Sequence, residues 1–442
     1  MATTGSAGEA IDEALAAEAQ QVAGAPTPPV VTASSGGLSK TEVALLLGGT
    51  LGAALGYLVP MVFTLALKLD LLDPGNAAAL GLIIGAGSVV TLVTAPLTGI
   101  LSDRLRTRWG RRRPFTVAGI LIGVVAIAVM SLAPTVLILA LGWVLANLGW
   151  GTALGSISNI QADRLAPSQR GKVGAFTGVV TQVAPVTGIL LVSPFTADIV
   201  LAMWLPALIG LPLVLAFVLF VHEEDTRAMT FDGRLTFGGI LRSYGYRPRD
   251  FPDFSWNWLG RFFFFAGITF TSTYSTFFFA VRLGIPLQDI APVVALMSAI
   301  GTGVSAVGAI ASGWMSDRVG RRRPFVLVAV VLFAAGTVVS ALSFSLLPLI
   351  IGGVLSSLGV AVFLAINQAM VLDVLPHRET QAGRFMGITS FSQKIPSALA
   401  PLVAPLILTA GMTDNYALLY LTAGTLVLAG GLLITWKVKG VR

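Results

Sequence analysis

Six polar side chains lie inside long apolar segments of this sequence, where they could form hydrogen bonds or ionic contacts with a solute. Lys394 is the deepest charge, about ten residues or roughly 15 Å into its segment at about 1.5 Å per residue. Polar groups in such segments are costly and usually face a bundle interior or a water-filled cavity. We therefore expect contacts with one solute in a central cavity from Tyr57, Asn147, Gln182, Tyr274, Gln393 and Lys394.

Each of these residues also has a structural alternative that the sequence leaves open. Lys394 is either a group that binds the solute or couples transport, or it pairs with a neighbouring helix or extends its side chain toward the membrane surface. Asn147 and the two glutamines equally suit hydrogen bonds between helices, worth about 0.6–2 kcal/mol each. Tyr57 fits aromatic packing. Tyr274 belongs to the hydroxyl run "TSTYST" at residues 271–276, which suits either a sugar path or close helix packing.

A basic string with one aspartate occurs twice, about half a chain apart. The copies are "SDRLRTRWGRRRPF" at residues 102–115 and "SDRVGRRRPF" at residues 316–325. A carboxylate at a helix end can pair with arginines of a neighbouring loop, and such pairs bias a two-state equilibrium. The alternative is that the arginines only set membrane topology and bind anionic lipid. We favour this alternative for Arg112, Arg113, Arg322 and Arg323.

The elements that carry these residues are long apolar runs. The chain has 442 residues, is 55% hydrophobic and 11% charged, and has a mean hydropathy of +0.85. Soluble domains are about a quarter charged, whereas runs near 20 residues are long enough to cross a ~30 Å hydrocarbon layer. The sequence predicts an all-α polytopic membrane protein with twelve spans, near residues 42–67, 77–101, 114–133, 136–160, 171–195, 199–221, 257–281, 289–314, 324–344, 347–371, 384–410 and 415–436.

Composition also excludes several classes of chemistry. The absence of cysteine excludes disulfides, thiolate catalysis and cysteine metal sites. The two histidines, His222 and His377, fall in predicted loops, which argues against a histidine metal cluster or proton relay. No Walker-type glycine loop is present. We expect no enzyme activity, no cofactor and no metal. The positive-inside rule explains the net charge of +7, so we expect no nucleic-acid partner.

The chain divides into two halves that repeat each other. In both halves, "GAFTG" or "GRFMG" leads to a glutamine three residues before a proline. Lysines and arginines concentrate after spans two, four, eight and ten, which places both termini in the cytoplasm and the chain in the cytoplasmic membrane. The predicted parts are a disordered cytoplasmic tail (1–40), a six-helix half (41–221), a cytoplasmic central loop (222–255), a second half (256–437) and a short cytoplasmic tail (438–442).

These motifs resemble those of the major facilitator superfamily. "GILSDRLRTRWGRRRPF" is similar to the superfamily's loop signature Gly-x-x-x-Asp-Arg-x-Gly-Arg-Arg, and its longer form, with "WLGRFFFF" opening span seven, resembles the sucrose-transporter-like branch related to glycoside–pentoside–hexuronide symporters. The resemblance implies two pseudo-symmetric six-helix halves that rock about a central site. It also implies a cytoplasmic gate, to which we assign Asp103, Arg104, Arg111, Asp163, Asp317, Arg318, Arg321 and Asp373.

The resemblance has two departures that bear on function. The fourth span reads "VLANLGWG" and lacks the arginine that the family often carries there, and "VTQVAPVTG" is an incomplete antiporter signature. We expect a monomeric secondary transporter of a sugar or glycoside, with membrane lipids and a coupling proton as further partners. The alternatives are efflux of drugs or metabolites, uptake of an anionic solute such as a hexuronide, and a non-transporting membrane sensor or scaffold.

Overall fold

The computed structural model describes residues 37–223, 225–227, 245–376, 382–409 and 415–440, apart from the side chains of residues 167, 317, 382 and 383. Most of the predicted N-terminal tail and the middle of the predicted central loop lie outside these ranges, as do residues 441–442. The predicted domain boundaries therefore stay predictions.

Within the described ranges the chain forms twelve membrane spans if one bent helix pair is counted as a single span, which confirms the predicted all-α polytopic fold. The helices are α1 (Lys40–Leu72), α2 (Ala77–Arg104), α3 (Arg113–Ser131), α4 (Val136–Arg164), α5 (Pro167–Val192), α6 (Ile199–Phe220), α7a (Pro252–Thr273), α7b (Ser275–Leu283), α8 (Ala291–Val319), α9 (Arg323–Ala341), α10 (Leu346–Asp373), α11 (Ala382–Leu408) and α12 (Tyr416–Lys437). We call the end where α1 begins and α12 ends the terminal face, and the other end the far face.

The seventh span is bent, where the sequence predicted one straight helix. Helices α7a and α7b meet at an angle of 52° around Tyr274. The hydroxyl groups before the bend fold back on their own helix: Thr271 Oγ1 donates to the Ile268 carbonyl at 3.0 Å and Ser272 Oγ to the Thr269 carbonyl at 3.3 Å. Such bonds compete with the helix ladder and bend helices. The break thus falls within the hydroxyl run.

Glycines let helices cross closely at equivalent places in the two halves. Gly52 of α1 meets the backbone of Gly210 on α6, and a Cβ there would collide with the Gly210 carbonyl. In the second half a Cβ on Gly260 of α7a would lie 2.6 Å from the carbonyl oxygen of Gly430 on α12. Small residues of this kind allow close backbone approach between membrane helices. The first and sixth helices of each half therefore cross in the same way, as the predicted pseudo-symmetry requires.

Candidate functional site

A cavity of about 260 Å³ between α2, α4 and α11 is the candidate site. Its walls carry hydroxyl and amide side chains spaced mostly three or four residues apart, so one face of each helix supplies them. Within the described lining there is one charged side chain, an ammonium, and no carboxylate. The polar lining residues are Thr91, Thr94, Thr98 and Ser102 on α2, Asn147, Thr152, Ser156, Ser158 and Asn159 on α4, and Lys394 on α11.

The hydroxyl groups along α2 are satisfied by their own helix. Thr94 Oγ1 donates to the Val90 carbonyl at 2.8 Å, and Thr98 bonds the preceding turn in the same way. The single hydroxyl hydrogen of Thr91 is shared between the Gly87 carbonyl and Asn147 Oδ1, each 3.1 Å from Oγ1. These bonds use the hydroxyl hydrogen and leave the oxygen able to accept. The α2 wall therefore presents hydrogen-bond acceptors to a solute.

Asn147 lies where the cavity meets α1. Its side chain is 3% exposed, and Oδ1 accepts from the Tyr57 hydroxyl at 2.8 Å and the Thr91 hydroxyl at 3.1 Å. Its Nδ2 donates to the Trp143 carbonyl at 2.8 Å, and the Tyr57 ring stacks on Trp143 with centroids 5.7 Å apart. Asn147 thus joins α1, α2 and α4 while also lining the cavity, and Tyr57 reaches the cavity through it.

Lys394 enters the cavity from the middle of α11. Its side chain is exposed, and no ion pair or hydrogen bond to it occurs among the described residues. The adjacent Gln393 is also exposed, whereas Ser392 is fully buried. Helix α11 therefore turns the Gln393–Lys394 edge to open space. Solute contact by these two residues stays a prediction.

Gln182 and Tyr274 do not line this cavity. Gln182 is exposed on α5. Tyr274 is fully buried at the break in α7, and a Cβ on Gly81 of α2 would collide with its hydroxyl. Tyr274 therefore belongs to the contact between the halves near the far face. Solute contact by either residue stays a prediction.

The cavity is open toward the terminal face and closed toward the far face. Near the far face α2 packs on α11, where a Cβ on Gly85 would lie 2.5 Å from Leu402. Thr276 Oγ1 of α7b donates to the Val62 carbonyl of α1 at 2.7 Å, a second contact between the halves. Closer to the terminal face, Gly99 of α2 faces open space. A solute can therefore enter from one side only.

Two aspartates and two arginines of the first half form a network at the cavity mouth. Arg112, 5% exposed, has Nη2 2.5 Å from Asp103 Oδ1 and Nε 3.1 Å from Asp163 Oδ2. Arg111 pairs with Asp163 at 2.8 Å and with Asp103 at 3.8 Å. Arg112 also bonds Ser102 of the cavity lining. The start of α3 is thereby tied to the ends of α2 and α4.

Glu223, which follows α6, caps the start of α3. Its Oε2 accepts hydrogen bonds from the backbone N–H groups of Arg112 at 2.9 Å and Arg113 at 3.0 Å, groups that a helix start leaves without partners. Gly110, at φ +86°, lets the loop approach, since a Cβ there would collide with Glu223. Burial raises the pKa of the Glu223 carboxyl, and the two backbone bonds and Arg112 offset this only in part.

The second half carries an ion pair at the equivalent place. Arg322 Nε lies 3.1 Å from Asp373 Oδ2. Arg318 and Arg321 are exposed, and the Asp317 side chain lies outside the described part of the chain. The gate role of these residues stays a prediction.

Arg112 and Arg322 correct the assignment of these arginines to topology alone. Both occupy the cap position of a helix whose first turn contains a proline, Pro114 or Pro324. Proline favours the first helical turn, so the "RRRPF" motif itself marks which arginine stands at the helix start. Arg104, predicted for the gate, ends α2 and is half-buried.

A buried polar cluster lies in the second half around Arg261, for which the sequence leaves a functional role and a side chain that reaches the membrane surface equally open. Arg261, 6% exposed, donates from Nε to Ser392 Oγ at 3.1 Å and from Nη1 to Asn367 Oδ1. Asn367 Nδ2 in turn donates to Asn257 Oδ1 at 2.8 Å. The predicted span began at residue 257, which placed Arg261 near the surface. The helix starts at Pro252, which puts Arg261 roughly 13 Å inside at about 1.5 Å per residue.

The family model described as Major Facilitator Superfamily matches residues 43–311 and 294–441. The chain belongs to this superfamily. It is therefore a transporter rather than an enzyme, as the sequence predicted, and the solved structures that it resembles are transporters as well.

Two curated relatives of this superfamily member match shorter stretches. The chain is 26% identical to "General alpha-glucoside permease" of Schizosaccharomyces pombe over 158 residues, which cover 32% of this chain and 27% of that protein. It is 31% identical to "Putative multidrug resistance protein MdtD" of Salmonella paratyphi B over 107 residues, 24% of this chain and 21% of that protein. The matches span about a quarter of these relatives' length.

Solved transporters show the same fold over most of the chain. The nucleoside transporter NupG aligns with a TM-score of 0.70 at 13% identity, covering 90% of this chain and 100% of that one. A bacterial homologue of the human lysosomal transporter Spinster, inward-facing and unoccupied, aligns with a TM-score of 0.62 at 16% identity, covering 90% and 95%. At these identities the likeness concerns the fold alone.

Proposed function

We propose that this superfamily member is a secondary active transporter that moves a sugar or glycoside across the cytoplasmic membrane by rocker-switch alternating access. The observation that carries the proposal is the cavity lined by hydroxyl and amide groups and open at one face only. Sugar hydroxyls both donate and accept hydrogen bonds, and serine, threonine and asparagine side chains offer both. The match to an α-glucoside permease supports the same substrate class.

Alternating access assigns a role to the charged groups at the terminal face. The arginine-rich loops lie there, so the positive-inside rule supports a cytoplasmic terminal face and an inward-open conformation. Closing that face brings the ends of α2 and α4 toward the second half. Asp103 and Asp163, held by the arginines of α3, are placed to gate that movement.

An anionic solute such as a hexuronide is the second candidate. It is favoured by Lys394, the one charge in a described lining that holds no carboxylate. A cation in an apolar layer without a protein partner gains most from an anionic solute. Efflux of lipophilic cations, which the multidrug relative suggests, fits this lining less well because the lysine would repel them.

We propose that a coupling proton is carried by a carboxyl at the cavity mouth. Every Asp and Glu in the described spans lies within one turn of a helix end. The candidates are Asp163, Asp373 and Glu223, and the raised pKa of Glu223 supports its inclusion.

Uptake into proteoliposomes tests the function directly. The panel holds neutral disaccharides, hexuronides and lipophilic cations, each with and without a pH gradient. We expect saturable uptake of a neutral sugar that a pH gradient accelerates. Uptake of lipophilic cations alone would contradict the proposal, and no uptake of any solute would favour a sensor or scaffold.

Lys394→Ala separates the two candidate solutes. If the solute is neutral, the variant should change the apparent KM by less than about threefold, since a hydrogen bond to a neutral group is replaceable by water. If the solute is an anion, the apparent KM should rise by more than about tenfold in Lys394→Ala. Lys394→Arg should then restore most of the affinity.

A further inference from the structure

A second groove lies between α7a and α11, and its lining shares no residue with that of the solute cavity. It has a volume of about 290 Å³ and is walled almost wholly by apolar and aromatic groups. Three of its residues recur at intervals of three and four and so share one face of α11. The lining residues are Tyr246, Trp258, Ile388, Phe391 and Ile395.

The groove has walls that stand open rather than packed together. Trp258 Nε1 donates to the Ile388 carbonyl at 2.8 Å, and its ring stacks on Phe262 with centroids 5.8 Å apart. Both contacts hold the indole at the groove wall. The remaining surface of the groove is almost wholly apolar, which suits an acyl chain.

Basic side chains surround the end of the groove at the terminal face. Tyr246, which lines that end, packs edge-on against Phe254 and Phe385 at 5.5 and 6.2 Å. The next residues in the chain, Arg247 and Arg249, are exposed.

Further charges nearby keep this surface basic. Arg384 donates to the Gly245 carbonyl, which places a third guanidinium beside Tyr246. Two acids lie nearby in the described part of the chain. The Asp253 carboxylate accepts hydrogen bonds from the backbone N–H groups of Lys439 and Gly440 at 2.9 and 2.6 Å, and Asp250 is exposed. The surface therefore combines an apolar slot with a net positive rim at the point where a span leaves the membrane.

We propose that this groove binds one anionic phospholipid, with an acyl chain along Trp258 and Phe391 and its phosphate against Arg247 and Arg249. Aromatic and basic residues at the ends of spans face lipid headgroups, and clusters of arginines attract anionic ones. The site is separate from the solute cavity and does not depend on which solute is carried.

Quenching of tryptophan fluorescence by brominated lipid tests the proposal on the full-length protein in phosphatidylcholine vesicles. The vesicles carry an increasing fraction of either brominated phosphatidylglycerol or brominated phosphatidylcholine. The Trp258 signal is the difference between the wild-type protein and Trp258→Phe. We expect half-maximal quenching of Trp258 at a fraction of brominated phosphatidylglycerol at least about fivefold lower than for phosphatidylcholine. Trp204, half-buried on α6 near the far face, is the control, and the signal lost in Trp204→Phe should respond equally to the two lipids.

Charge variants identify the headgroup contact. Each arginine near an anionic membrane surface contributes about a fivefold preference for anionic over neutral lipid. The double variant Arg247→Gln/Arg249→Gln should therefore remove the preference for phosphatidylglycerol at Trp258. Lys172→Gln, an exposed cation on α5, should leave it intact. Equal quenching by both lipids in the wild-type protein, an unchanged preference in the double variant, or no quenching of Trp258 would each overturn the proposal. None of these readouts depends on transport.

Discussion

The wall of the cavity that faces α1 depends on a single amide. Asn147 accepts two hydroxyl hydrogens from two other helices and donates to its own helix, so its side chain holds α1, α2 and α4 in register. Lys394, in contrast, has no ion-pair or hydrogen-bond partner among the described residues, which agrees with the solute contact proposed for it. One cavity lining thus contains both a residue that joins helices, Asn147, and a residue proposed to contact the solute, Lys394.

Asn147→Leu should destabilise the protein by about 1–3 kcal/mol, because the Tyr57 hydroxyl loses its acceptor and the substituted side chain leaves polar groups unpaired. Thermal unfolding in detergent measures the change. Tyr57→Phe removes one of the same bonds and should cost less, about 1 kcal/mol. Asn159→Leu, in the same lining nearer the mouth, is the matched control. A loss as large in Asn159→Leu would show that Asn147 has no special role.

At the scale of helices, the cap on α3 makes its start sensitive to pH. Burial raises the pKa of Glu223 above 4.5, so the folded protein holds this proton more tightly than the unfolded chain does. The stability that the protonated Glu223 carboxyl contributes is present in full below its pKa in the unfolded chain. That stability is lost as the pH rises through its pKa in the folded protein.

Glu223→Gln removes that titration while keeping one oxygen acceptor for the α3 backbone. The unfolding free energy of the wild-type protein should therefore fall relative to the variant as the pH rises from about 4 to about 8. Asp225→Asn is the control: hydrogen bonds from Arg227 lower the pKa of this exposed carboxyl, so it is already ionised over this range and its removal should change the slope little. If the unfolding free energies of the wild-type protein and Glu223→Gln vary with pH in parallel, the raised pKa of Glu223 is contradicted.

The crossing of α7a and α12 should tolerate no added methyl group. Gly260→Ala places a Cβ 2.6 Å from a backbone oxygen, which cannot move without separating the helices, and should cost about 1–3 kcal/mol. Gly303 of α8 faces open space, so Gly303→Ala should be neutral or stabilising by up to about 1 kcal/mol, since alanine is the better helix former. Unfolding in detergent compares the two. Equal effects would mean that the crossing is not tight.

For the whole molecule, the one-sided cavity predicts one-sided chemical access. The chain contains no cysteine, so single-cysteine variants need no altered background. Gly155→Cys, in open space on α4, should react with a membrane-impermeant maleimide. Ala398→Cys, 1% exposed on the closed side, should be protected. In whole cells Gly155→Cys should react only after permeabilisation, because we propose a cytoplasmic terminal face. Labelling of both variants in intact cells would contradict this arrangement.

The number and order of the spans could be predicted because the length of an apolar run directly encodes whether it crosses a membrane. The depth of Lys394 followed from counting residues along a helix. The burial of Arg112 was missed because three adjacent arginines look alike until the start of α3 is known. The bend at Tyr274 and its contact with Gly81 depend on local hydroxyl bonds and on packing between halves, for which the sequence carries no periodic signal.

The charge network of the first half has a mechanical consequence. Four ion contacts bind the ends of α2, α3 and α4 into one block, and the Glu223 cap joins the end of α6 to it. The α2–α4 wall of the cavity should therefore be stiff and should move as one unit when the terminal face closes. We expect the spacing between α2 and α4 at the mouth to stay constant through the cycle, so that this wall limits the size of the solutes that fit.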